Sequence, residues 1–202
     1  MQQRTSQLLN RLSESATIAM ARKANELKSA GVDVISLSLG EPDFDTPELI
    51  KDAGIEAIKN NITHYTPVPG LPDVREAISA KFKRDNGLDY APSQIVVSNG
   101  AKQSITNVVL SLVDPGEEVI LPAPYWVSYA DMVAFAGGTH RVLPTSIEHD
   151  FKIQPDELEA AITEKTRLLI YSSPCNPSGS VYTVQEIEAL AAVLKRHPQV
   201  YI

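Results

Sequence analysis

From residue 48 to the last residue, stretches with helical periodicity alternate with short apolar, β-branched runs, and little filler separates them. That order is the strongest constraint on the fold. Strands separated by helices of about 10–15 residues cannot pair through tight hairpins, so they form βαβ units and a mainly parallel sheet. Right-handed crossovers then put helices on both faces of that sheet. The periodicity predicts helices over 48–60, 73–86, 101–113, 126–136, 155–162 and 183–196. It predicts strands over 95–98, 118–122, 139–143 and 167–171, with another beginning at Val200. Gly87 stops the second helix, Asp114-Pro115-Gly116 the third and Gly137-Gly138 the fourth. Residues 15–47 break this pattern: they hold one helix-like stretch, a strand near 34–39, and the loop Gly40-Glu41-Pro42-Asp43-Phe44.

Composition narrows the class. The chain has 202 residues, 18 basic against 25 acidic, and a formal charge of −7. With no dense Lys/Arg run it lacks the electrostatic footprint for nucleic acid or anionic lipid. The longest apolar runs, such as Ala189 to Leu194, fall far short of the ~20 residues a bilayer needs. The single cysteine, Cys175, excludes an internal disulfide, and the scattered histidines His64, His140, His149 and His197 form no metal-ligand spacing. A soluble, cytoplasmic α/β protein is expected. Residues 1–14 read as an arm or docking helix; Arg4 and Arg11 with no acid before Glu14 only faintly resemble a transit peptide.

In open parallel sheets, ligands bind beyond the carboxyl ends of the strands, so the residues after each strand carry the chemistry. After 95–98 comes Ser98-Asn99-Gly100-Ala101-Lys102 at a helix start. Glycine there allows close backbone approach, and the first helical amides attract an anion such as phosphate; the competing reading is a turn glycine beside a solvated lysine. After 118–122 comes Pro122-Ala123-Pro124-Tyr125-Trp126, with the only tryptophan. Its indole suits stacking on a planar heterocycle, or simply packs the start of its helix. After 167–171 comes Ser172-Ser173-Pro174-Cys175-Asn176-Pro177-Ser178-Gly179, a stiff segment in which an X–Pro bond is a candidate for the cis form. Asn176 offers both donor and acceptor there, or caps its own turn; Cys175 reads as a small packed residue. A phosphate cradle, a stacking face and a polar amide together fit pyridoxal phosphate better than a dinucleotide.

These segments, with Ser38-Leu39-Gly40-Glu41-Pro42-Asp43-Phe44 and Tyr65-Thr66-Pro67-Val68-Pro69-Gly70, resemble the class I/II pyridoxal-phosphate-dependent aminotransferases, and most closely the bacterial aspartate aminotransferases of the Ib subgroup. The resemblance runs from about residue 15 to the last residue. It implies the fold-type I architecture, a mainly parallel sheet covered by helices on both faces, with the large domain incomplete in this chain. It divides the chain into an arm (1–14), the N-terminal part of a small domain (15–47) and the first part of a large cofactor-binding domain (48–202). It also implies a homodimer with active sites at the subunit interface.

Carried over by residue, the resemblance makes Gly40 a backbone contact to the substrate α-carboxylate and Tyr65 the tyrosine that reaches a neighbouring subunit's cofactor phosphate. Gly100, Ala101 and Lys102 become the phosphate-binding helix start, with Lys102 also recognising the distal carboxylate of an acidic substrate. Trp126 stacks on the pyridine ring, and Asn176 bonds its 3′-oxygen; both also border the substrate. Ser15 and Thr17 align near the substrate side chain, and Ser178 stands where the family commonly has threonine.

The expected reaction is transfer of an amino group from an amino acid, L-aspartate foremost, to 2-oxoglutarate. No catalytic residue is expected within this chain: the family's Schiff-base lysine would lie beyond residue 202, so the chain reads as an N-terminal fragment that is inactive alone. Two alternatives accompany this reading. One is an aromatic or prephenate aminotransferase, or a β-lyase, of the same fold; the other is a non-catalytic cofactor-binding or dimerisation module.

Overall fold

The protein is described by a computed structural model in which residues 5–6, 8–12, 16–37 and 40–202 are defined. Among the described residues the α-helices and strands are α1 (Ala16–Ser29), α2 (Glu48–Lys59), α3 (Pro72–Asn86), α4 (Gly100–Leu112), β1 (Glu118–Ala123), α5 (Ser128–Phe135), β2 (Thr139–Pro144), α6 (Pro155–Ala161), β3 (Thr166–Leu169) and α7 (Val184–Leu194). The helices and three of the strands fall where the periodicity predicts them, within a few residues. By contact they gather into two compact units, Met1–Ser38 with Ile105–Ile202, and Leu39–Ser104.

The first unit holds a parallel sheet in the order β2-β1-β3, and Tyr201 begins a further parallel bridge beside Leu168. β1 is central, and its four middle residues are all buried, because helices cover both faces. Alternation decides which residue faces which helices. Val119 and Leu121, with Leu168 of β3, pack against Val109 and Val113 from α4 and its end, and Met132 and Val133 of α5. Ile120 and Leu169 point the other way, into Leu158 and Ala161 of α6 and Leu190, Val193 and Leu194 of α7. β2 lies at the edge and is mostly exposed.

α7 starts on a capping box: the Thr183 amide donates to Glu186 Oε2 at 2.6 Å, and the Glu186 amide donates to Thr183 Oγ1 at 3.3 Å. In the second unit α3 begins at Pro72 and stops at Gly87, whose φ of 67° lets its amide and that of Leu88 close on Lys83 and Phe82.

Two predicted strands are corrected. Residues 34–37 form no strand, and the rest of that segment, Ser38 and Leu39, lies outside the described residues. Residues 95–98 are extended at Ile95 but join no ladder: the Val97 amide donates to Pro69 O at 3.0 Å, a turn residue rather than a neighbouring strand. Propensity for extension was present, but a strand also needs a partner edge. Ile95 is buried while Val96 is 64% exposed.

Candidate functional site

In the first unit, the segments leaving β1 and β3 lie side by side at the carboxyl ends of the parallel strands. Leaving β1, Trp126 is half-buried, its indole meeting Tyr129 edge-on with centroids 5.5 Å apart. Leaving β3, the chain runs through Tyr171 into the Asn176 loop. The Cys175 thiol donates to Pro124 O at 3.5 Å, which ties the residue before Asn176 to the residue two before Trp126. The bonds Ala123–Pro124, Ser173–Pro174 and Asn176–Pro177 are cis. Thus the stacking candidate and the amide candidate come from adjacent strands, as the parallel order requires.

The Asn176 loop is held by polar groups rather than packing. The Cys175 amide donates to Ser180 O at 2.9 Å and the Gly179 amide to Cys175 O at 2.8 Å, closing the loop on itself. The Asn176 amide donates to Ser172 Oγ at 3.3 Å, and the Tyr182 amide to Ser173 Oγ at 3.1 Å. Asn176 itself is exposed. Beneath the loop, Tyr125, Tyr129, Phe151, Tyr171, Cys175 and Tyr182 enclose a cavity of about 10 Å³, room for one water at most. Tyr171 and Tyr182 meet edge-on at 5.5 Å, and the Tyr182 hydroxyl accepts the Ile153 amide at 3.0 Å. Burial of that ring pushes its hydroxyl pKa above the ordinary 10.0.

The second unit carries the remaining candidates. Gly100 opens α4 at a φ of 80°, a Cβ built there would meet nothing within 4 Å, and its amide donates to Ser98 O at 2.9 Å. The first amides of any helix have no acceptor within it; the Gly100 amide finds Ser98 O outside it, and Ala101 and Lys102 follow at the end of the helix where an anion is favoured. The Gln103 side chain turns back to accept the Asn99 amide at 2.5 Å. Lys102 is exposed. Gly40 is exposed with open space about its Cα, and Tyr65 is fully exposed at 107%. Thr17 is half-buried on α1 in the first unit, and Ser15 lies outside the described residues.

Sequence reasoning missed what supports the loop: Ser172, Ser173, Ser180 and Tyr182 beside Asn176, and an ion cluster of Asp150, Lys152 and Glu186 next to it. The Thr183…Glu186 capping-box pattern was a readable signal for one corner. Nothing in local sequence announces that Lys152 meets Glu186 across 34 positions.

In the first unit a tryptophan and an asparagine thus follow neighbouring strands at the carboxyl end of a parallel sheet, the end where open α/β sheets bind ligands. The family model for class I and II aminotransferases matches residues 32–202, and the chain belongs to that family. Among its relatives are a probable aspartate/prephenate aminotransferase of Rhizobium leguminosarum bv. phaseoli, 53% identical over 96% of this chain and 48% of the relative, and an aspartate/prephenate aminotransferase of Nitrosomonas europaea, 52% identical over 98% and 50%. Similar solved structures include the aspartate aminotransferase from Rhizobium meliloti (TM-score 0.94, 40% identity, 98% of this chain and 50% of that one). Another is the aspartate aminotransferase from Thermus thermophilus with maleate (TM-score 0.92, 43% identity, 96% and 51%). The chain therefore spans about half the length of the relatives it matches. The fold is that of the fold-type I aminotransferases, and the family implies pyridoxal phosphate. No helix among the described residues is long and apolar enough to cross a membrane.

Proposed function

We propose that the complete protein is a pyridoxal-phosphate-dependent aminotransferase that moves an amino group from L-aspartate to 2-oxoglutarate. The observation that carries this reading is the pairing of Trp126 and Asn176 on the ends of adjacent parallel strands in a chain of this family. The donor set fits the cofactor: an indole face suits a pyridine ring, an exposed carboxamide can donate to a phenolic oxygen, and a helix start that carries a lysine suits a phosphate dianion.

When bound, pyridoxal phosphate supplies the electron sink for amino-group transfer. This chain's own residues then bind and orient. Trp126 holds the ring plane, and Asn176 fixes the ring's rotation through its 3′-oxygen. Gly100, Ala101 and Lys102 hold the phosphate, and the Gly40 backbone meets the substrate α-carboxylate. Tyr65, fully exposed on its own chain, suits a role in a neighbouring subunit's site, which is the reason to propose a homodimer. The domain division at residues 14 and 47 and a cytoplasmic location belong to the same reading.

Lys102 favours a substrate with a second carboxylate, and the solved relative named with maleate, a four-carbon dicarboxylate, supports that class. Prephenate is a second acceptor, because relatives such as those of Rhizobium leguminosarum and Nitrosomonas europaea are named for it. The test uses the full-length gene product. Titration with pyridoxal phosphate should quench Trp126 fluorescence, and Asn176→Ala should weaken binding by about tenfold, the worth of a charge-assisted hydrogen bond. Aspartate should then donate to 2-oxoglutarate and to prephenate in parallel assays. No turnover of dicarboxylic substrates, with turnover of aromatic ones, would replace the substrate assignment and leave the cofactor reading intact.

A further inference from the structure

We infer that Lys152 is a positioning residue for the Asn176 loop, acting through Asp150 and Ser180; its importance for the cofactor rests on the reading of Asn176 given above. Lysine is almost never buried unless paired, yet Lys152 is only 9% exposed. Its ammonium donates to both oxygens of Glu186, at 3.1 and 3.2 Å, and lies 3.3 Å from Asp150 Oδ2. Glu186 is already engaged by the Thr183 amide in its capping box, so α7 has an N-terminal cap without the lysine. What the lysine adds is a link from that helix start to Asp150.

Asp150 is the hinge of the arrangement. It and Phe151 both occupy the left-handed region, each with φ of 53°, a backbone that side-chain-bearing residues rarely adopt in succession. The Phe151 amide donates to Ser146 O at 2.8 Å, which pins the turn. This turn aims the two side chains at the same neighbour. Phe151 lines the cavity beneath the loop, and Asp150 Oδ1 accepts the Ser180 hydroxyl at 3.4 Å. Ser180 is the residue whose carbonyl closes the Asn176 loop on the Cys175 amide, and it is 7% exposed where Ser173, Asn176 and Gly179 are exposed. Inside the loop, the Asn176 amide donates to Ser172 Oγ and the Ser178 hydroxyl to Ser180 Oγ at 3.1 Å; the contact that leads from the closing pair out to Lys152 runs through the Asp150 carboxylate.

Cys175 provides a reporter inside the loop, since its thiol donates to Pro124 O at 3.5 Å in the closed loop. The experiment takes the full-length gene product and its Lys152→Met, Lys152→Arg and Ser180→Ala variants. It reads the rate at which an aromatic disulfide reagent modifies Cys175, assigned by mass of the labelled peptide. It also reads affinity for pyridoxal phosphate from Trp126 quenching, with urea denaturation verifying that each variant is folded. Lys152→Met and Ser180→Ala should each speed Cys175 modification by about three- to tenfold, the scale of losing a local polar tether, and weaken cofactor binding by a comparable factor. Lys152→Arg should restore most of both. In an Asn176→Ala background, Lys152→Met should cost no further affinity, because the residue it positions is gone.

Ser180→Ala removes a single oxygen, so it keeps the test open if Lys152→Met does not fold. Unchanged Cys175 rates in the folded variants overturn the inference, as does full additivity of Lys152→Met with Asn176→Ala. If the thiol rates respond but Asn176→Ala does not change cofactor affinity, the tether stands and the cofactor role of Asn176 falls.

Discussion

Replacing Gly138 with alanine should destabilise the protein by about 1–3 kcal/mol, and the reason is a specific collision rather than a backbone preference. Gly138 follows α5 and leads into β2, and its φ is not in the left-handed region. A Cβ added there would sit 2.7 Å from Val113 Cγ1, 3.2 Å from Val133 Cγ1 and 3.4 Å from Glu117 O. Carbon atoms prefer about 3.5–4.0 Å, so the first contact is roughly 1 Å too short. Neither partner has room to retreat: Val113 is 5% exposed and Val133 is 0% exposed, both in the core under β1. The backbone is pinned as well. The Gly138 amide donates to Val133 O at 3.1 Å, the Thr139 amide to Glu117 O at 2.8 Å, and the Gly116 amide to Gly137 O at 3.2 Å.

The neighbouring glycine makes the contrast. Gly137 has a φ of 83°, and a Cβ there would meet Pro115 Cγ at 3.3 Å, so Gly137→Ala should cost about 1 kcal/mol, mostly through backbone strain. Equilibrium urea denaturation followed by Trp126 fluorescence separates the two mechanisms, because Val113→Ala removes the atom that the methyl added at position 138 would strike. Val113→Ala alone should destabilise by leaving a cavity. Combined with Gly138→Ala it should cost less than the sum of the singles by about 1 kcal/mol or more, whereas combined with Gly137→Ala the costs should add. Simple additivity of Gly138→Ala and Val113→Ala, or a Gly138→Ala cost below about 0.5 kcal/mol, would refute the packing argument.

Thr183→Ala should cost about 1 kcal/mol by removing the side-chain acceptor at the start of α7, measured by the same denaturation. Tyr182→Phe should cost about 1–2 kcal/mol, because the Ile153 amide loses the hydroxyl that accepts it. The acid limb of stability should respond to Glu117. The Asp114 amide, and after it the Arg167 guanidinium, hold its carboxyl below the ordinary value of 4.5. Its contribution is therefore complete above about pH 4.5 and is lost as pH falls through the lower folded value. Glu117→Gln should flatten that limb in a series of urea midpoints from pH 6 to pH 3, and an unchanged slope would contradict the assignment.

How much of this was legible beforehand divides along a physical line. Burial periodicity is local: Val119, Ile120 and Leu121 alternate between two helical layers because a strand's side chains alternate, so the sheet and its helices could be read from spacing. The candidate site was legible for the same reason. Trp126 and Asn176 lie in the segments that leave β1 and β3, and a parallel sheet puts all such segments at one end. The failed strand at 95–98 had the right residues, but pairing is not a local property. Val97 gives its amide to Pro69, and Gly70, with φ of 101°, lies so close that a Cβ there would come 2.7 Å from Val97 Cγ2. Only glycine fits at that crossing, a constraint written at position 70 and enforced from position 97.

The same distinction explains why the support of Asn176 escaped sequence reading while Asn176 itself did not. The loop's prolines and glycine announce rigidity, but its links to Asp150 and from Lys152 to Glu186 cross 30 and 34 positions. A charged cluster assembled over such separations has no local pattern, since each member alone reads as an ordinary surface residue. Polar tethering nevertheless suits this place better than an apolar core. A loop that keeps its tip exposed, as Asn176 is here, gains little from burial. A directional bond from Ser180 to the ion cluster tethers such a loop without covering its tip.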